Sequence, residues 1–146
     1  MTDATAITDG LTAEQRAQLE ALFQPKAYRG DDFLLVEGQP TPGLLLIDSG
    51  RVGVSKKDMG KHEQLITELD GPAVIGELEL LTGDACAATV RARSSVSARL
   101  LPRPAFEAML DRGDGGAIRL LRNLARALGQ KLEATNETYV DLAIWR

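Results

Sequence analysis

The sequence predicts a mainly β domain: an antiparallel, jelly-roll-like β-roll with a helix before it and a long helix after it. Three observations lead there. Between Ala27 and Pro102, short runs of Leu, Val and Ile alternate with Gly, Pro and Asp punctuation. No long helical pattern separates these runs, which disfavours a parallel α/β sheet. After Pro102, leucines recur every three or four residues towards the C-terminus.

Taken in order, residues 1–10 are small and polar and read as a loose N-terminal arm, with the domain proper at 11–146. Thr12 and Gln15 form a capping-box pattern, and Leu19, Leu22 and Phe23 follow at helical spacing, so a helix is expected over 12–24 with Pro25 ending it. Strands are expected at Phe33–Val36, Leu44–Ile47, Val52–Ser55, Gln64–Leu69, Val74–Ile75, Thr89–Arg93 and Val96–Leu101. Gly76–Leu81 interrupts this rhythm as a short helical segment entered from a glycine. Pro104 opens a further helix through Leu110, since proline is tolerated in a first turn. Asp111–Gly116 is a break. A long helix then runs over about 117–145, roughly 42 Å at 1.5 Å per residue. That exceeds what one small roll can cover, and it leaves Tyr139, Leu142 and Trp145 for a helix–helix homodimer seam.

Composition narrows the functional classes. The 146 residues are 44% hydrophobic and 26% charged, with a net charge of −4, as in an ordinary soluble domain. The acidic balance disfavours nucleic acid and anionic membrane as partners. No apolar run reaches membrane-spanning length, and the first residues lack the basic start of a secretory leader. A single cysteine, Cys86, and a single histidine, His62, cannot build a disulfide framework or a cysteine/histidine metal site. A cytoplasmic, reducing location fits these features. No nucleophile elbow, paired-histidine motif or P-loop is present, so the expectation is a non-enzyme.

Several segments, in this order, resemble the cyclic-nucleotide-binding domain family of catabolite-activator-type regulators, kinase regulatory subunits and gated channels. They are Glu37-Gly38 after a strand, Leu46–Val54, Gly71 before a strand, Gly76-Glu77-Leu78 with Leu80-Leu81, Ala87-Ala88-Thr89-Val90, and Leu101-Pro-Arg closing on Phe106. The resemblance covers about residues 19–135. It implies a regulatory domain for cAMP or cGMP, with a phosphate-binding cassette at Gly76, Glu77 and Leu78 and at Cys86, Ala87 and Thr89. In that pattern Glu77 accepts from the ribose 2′-hydroxyl, and backbone N–H groups of the short helix meet the cyclic phosphate. An arginine just ahead of the Ala-Ala-Thr segment pairs with the phosphate.

This chain departs from the pattern at that arginine. Cys86 stands at its position, Ala85 replaces the usual proline, and Glu79 takes a place usually held by a small residue. From His62 through Val90 there is no Lys or Arg, but there are Glu63, Glu68, Asp70, Glu77, Glu79 and Asp84. Losing a buried charged partner of phosphate costs about 2–5 kcal/mol, roughly 30- to several-thousand-fold in affinity. Weak or absent cAMP and cGMP binding follows, unless Arg91 or Arg93 replaces the missing cation. These two share a strand face by parity.

The residues also carry plainer readings. Glu77 alone is a carboxylate favoured by a helix N-terminus. Cys86, in acidic surroundings, reads as a silent small residue instead of a reactive thiol. His62 is a turn residue, and the basic run Arg112, Arg119, Arg122, Arg126 and Lys131 is the solvated face of a helix. Three functions therefore stand. The first is a stand-alone sensor domain with a diverged pocket, answering an unusual ligand or a protein partner. The second is a working cAMP or cGMP sensor with non-standard phosphate contacts. The third is a ligand-free interaction protein.

Overall fold

The computed structural model describes residues 6–144, with side chains described through residue 137. Helix α1 (Ala13–Glu20) leads into strands β1 (Gln24–Tyr28), β2 (Phe33–Leu35), β3 (Gly43–Ser49), β4 (Arg51–Lys57), β5 (Glu63–Asp70) and β6 (Ala73–Ile75). Helix α2 (Glu77–Thr82), strands β7 (Thr89–Ala92) and β8 (Val96–Pro102), and helices α3 (Arg103–Asp111) and α4 (Gly115–Ile144) complete the chain. The strands form two four-stranded antiparallel sheets, ordered β1-β8-β3-β6 and β2-β7-β4-β5. This is the β-roll with flanking helices that the sequence predicts.

Strand β3 organises the packing. Its run Gly43-Leu-Leu-Leu-Ile47 is buried along its whole length, and alternate residues point to opposite faces. Leu45 and Ile47 join Leu35, Val52, Val90 and Ala98 in the core between the sheets. Leu44 and Leu46 face the helices and pack with Leu80, Leu101, Phe106, Leu120 and Leu124. One sheet thus lies between the other sheet and a helical layer. That explains why β3 reads as a continuous apolar run.

Local signals account for most element ends. The Thr12 hydroxyl accepts from the Gln15 amide and the Gln15 side chain accepts from the Thr12 amide, both at 3.0 Å, so the capping box forms. The helix ends earlier than expected because Gln24–Tyr28 pairs with β8. That strand has no alternating pattern and contains Pro25. It is legible only as an edge strand, where a missing N–H is tolerated. Helix α4 begins ahead of the expected position because Asp114 caps it, its Oδ1 accepting from Gly116 N–H at 2.9 Å and Ala117 N–H at 3.1 Å.

The loose arm expected at 1–10 needs correction for residues 6–10. Ala6–Thr8 is a 3₁₀ turn, and Ile7 is buried at 1% exposure. The Asn123 amide on α4 donates to the carbonyls of Ile7 and Asp9, both at 2.8 Å. Arg119 adds a bond to Asp9 at 3.2 Å. One apolar side chain and two polar hooks on α4 hold the segment down. Residues 1–5 and the side chains of Tyr139, Leu142 and Trp145 lie outside the described residues.

Replacing Asn123 with Ala removes the side-chain donor of the Ile7 carbonyl and leaves the Asp9 carbonyl with Arg119 alone. The expected loss is about 1–3 kcal/mol of unfolding free energy, measured by urea denaturation. A variant as stable as the parent would show that the docked segment adds nothing.

Candidate functional site

The roll encloses an open-mouthed cavity of about 500 Å³, a size suited to a small organic ligand. Leu35 of β2, Val54 of β4, Leu69 of β5, Ile75 of β6 and Val90 of β7 supply apolar walls. Gly76, Glu77 and Glu79 come from the start of α2, Ala87 and Ala88 from the loop before β7, and Lys131 from α4.

Gly76 makes the entry into α2 possible. It adopts φ +81°, and a Cβ there would lie 2.8 Å from the Gly43 carbonyl oxygen. An L-residue would be strained in conformation and would collide with backbone. The turn throws Glu77 and Glu79 inwards and leaves Leu78 outside, 47% exposed.

Both carboxylates are buried, with exposures of 6% and 8%. Lys131 donates from Nζ to Glu77 Oε1, bringing α4 against the mouth of the cavity. Glu79 Oε1 accepts from the Ala87 amide at 2.9 Å. That bond ties α2 to the segment where the family pattern places phosphate contacts. Among the described residues, the ionisable groups on the cavity wall are two carboxylates and one ammonium.

The expected site residues separate into two groups. Gly76, Glu77 and Ala87 meet at the cavity. Cys86 points away into the core at 3% exposure, and its backbone bonds Gln39 and Gly38. The Thr89 hydroxyl accepts from the Glu37 amide at 3.0 Å and borders a cleft on the outer face.

Arg91 does not serve the cavity either. Val90 faces inwards, and strand alternation turns Arg91 out, where its guanidinium lies 4.6 Å from the Phe33 ring centre. Arg93 lies on the same outer face, 3.8 Å from Glu68. Neither arginine lines the cavity from there.

Lys131 is the residue that sequence reasoning misplaced, as part of a solvated basic face. Its signal is its spacing. It continues the stripe Leu124, Leu128, Lys131 at intervals of four and three, so it follows the buried side of α4.

Burial and the nearby Glu79 carboxylate both push the Cys86 thiol up from its ordinary value. The thiolate fraction at neutral pH is then small. Folded protein should react with a disulfide reagent far more slowly than urea-unfolded protein, as followed by absorbance. Equal rates would show an accessible, activated thiol.

The family model for the cyclic nucleotide-binding domain matches residues 25–113. Glutaminase 1 of Bradyrhizobium diazoefficiens is 30% identical over 130 residues, which is 89% of this chain but 20% of that protein. Lysophospholipase NTE1 of Yarrowia lipolytica is 31% identical over 106 residues, 72% of this chain and 7% of that one. The chain thus spans one fifth or less of these two relatives' length.

A cyclic nucleotide-binding domain from Methylobacillus flagellatus superposes with TM-score 0.81 at 25% identity, covering 94% of this chain and 80% of that one. A regulatory subunit of a cAMP-independent protein kinase A from Trypanosoma brucei has TM-score 0.72 at 23% identity, over 94% of this chain and 47% of that one. It was solved as a triple mutant with cAMP bound in its A site. No described helix is long and apolar enough to cross a membrane. The matched family model, the roll and its inserted helix α2 agree: this chain belongs to the cyclic nucleotide-binding domain family.

Proposed function

We propose that this chain is a regulatory binding domain whose cavity has lost cyclic monophosphates as ligands and answers a different small molecule or a protein partner. The observation that carries this is the Glu79 carboxylate on the Ala87 amide. A fixed anion holds a donor beside the position of the missing arginine, Cys86. An incoming phosphate would have to displace that carboxylate and then meet its charge at close range, in a wall where charge is poorly screened.

The trypanosomal mutant supports the same view. Its substitutions change a glutamate to alanine, a threonine seven positions later to arginine, and the next valine to alanine. Glu79 and Cys86 are also seven positions apart, and Ala87 follows.

Lys131 suggests how occupancy is transmitted. It links α4 to Glu77 at the cavity, so a ligand that competes for Glu77 shifts the balance between two positions of α4. Helix α3 lies between the roll and α4 and follows the same shift. We place the output in a homodimer through α4, a helix of 30 residues that carries Leu132 at 62% exposure. The two relatives containing larger enzymes fit a domain of this kind acting on attached or partner proteins. It acts as a binding module, not a catalyst, and a reducing cytoplasm suits its single buried thiol.

Calorimetric titration with cAMP and with cGMP should give no binding at micromolar concentration. The double substitution Glu79→Ala with Cys86→Arg should bring cAMP affinity up by roughly tenfold or more, since it removes a repelling charge and adds a charge-assisted donor. Micromolar binding by the parent chain would overturn this function. For the assembly, sedimentation should find a dimer that Leu132→Glu weakens; a parent chain that sediments as a monomer would remove the α4 seam.

A further inference from the structure

The charge count of the cavity does not close, and the deficit has a definite sign. Lys131 is committed to Glu77. Glu79 is 8% exposed, and no Lys, Arg or His among the described residues approaches it within the 4.0 Å of an ion pair. Its one hydrogen bond comes from a neutral amide. Among the described residues the rest of the wall offers no cation, because Arg91 and Arg93 lie on the outer face. A buried carboxylate is costly without a counter-charge, and what this site lacks is a single positive group.

We infer that the cavity takes an organic cation: a protonated primary or secondary amine on an apolar body, its N–H donors directed to Glu79. This rests on the reading that cyclic monophosphates are excluded, and it names the ligand class for that same cavity. The apolar walls at Leu35, Val54, Leu69 and Val90 receive the body. Chemical precedent lies within the site, where the Lys131 ammonium meets the Glu77 carboxylate in the same way. An anion of the same size meets a net negative wall, and a neutral molecule leaves the Glu79 charge uncompensated.

The test uses the full chain and three probes of nearly one shape: phenethylamine, phenethyl alcohol and phenylacetate. Binding is followed by NMR shift titration. Phenethylamine is expected to bind at least roughly tenfold more tightly than the alcohol, with phenylacetate weakest, because a hydrogen bond to a charged group is stronger than a neutral one. Glu79→Gln should level the amine and the alcohol. Lys131→Met removes a positive charge from the cavity wall and should tighten amine binding, which keeps the test decisive if Glu79→Gln does not fold. The inference falls if phenethylamine does not bind, if the alcohol or phenylacetate matches it, if Glu79→Gln keeps the amine preference, or if Lys131→Met does not strengthen it. A parallel cAMP titration separates the two levels: micromolar cAMP binding overturns the proposed function, whereas absent cAMP binding with no amine preference overturns only the ligand class.

Discussion

The two-sided burial of β3 is the constraint on which the rest of the molecule depends. A strand that buries Leu45 and Ile47 on one face and Leu44 and Leu46 on the other requires a sheet above and helices below. The helical layer then cannot drift from the roll. Phe106, Leu120 and Leu124 hold α3 and the first half of α4 against the apolar face of β3, and Asn123 secures the N-terminal turn to the same helix. The later part of α4 is thereby aimed past the mouth of the cavity, where Lys131 finds Glu77.

The cavity wall combines rigid and adjustable parts. Its apolar lining comes from strands whose neighbours lie in the main core, so its shape is tied to the fold. Its charged lining comes from α2 and α4, which pack on β3 through Leu80, Leu120 and Leu124. The Glu79–Ala87 bond couples α2 to the loop before β7, and the Lys131–Glu77 pair couples α2 to α4. A ligand touching either carboxylate would act on both joints. The Lys131–Glu77 pair is buried only on its Glu77 side, with the lysine 39% exposed, which suits a switching contact better than a structural one.

Gly76 and Glu77, which resemble the family pattern, and Glu79, which departs from it, lie in the same part of the cavity wall. Gly76 keeps the left-handed turn that starts α2, and a side chain there would strike Gly43. Glu77 keeps its inward position. At Glu79 the carboxylate takes an amide donor, and at Cys86 the small thiol packs into the core.

The sequence by itself determined the roll, the helices that flank it and the resemblance of the Gly76–Leu81 segment to the family. These rest on local periodicity, on turn residues and on spacing, which neighbouring positions encode directly. It also exposed the acidic surplus around Glu77 and Glu79. The edge strand at Gln24–Tyr28 escaped it because pairing with β8 shapes that segment, not its own pattern. Only the tertiary structure decided that Arg91 faces outwards, that Glu79 holds the Ala87 amide, and that Lys131 arrives at Glu77 from 54 residues away. The physical reason is that a charge's role depends on which groups share its burial, and those groups are set by packing between elements distant in the chain.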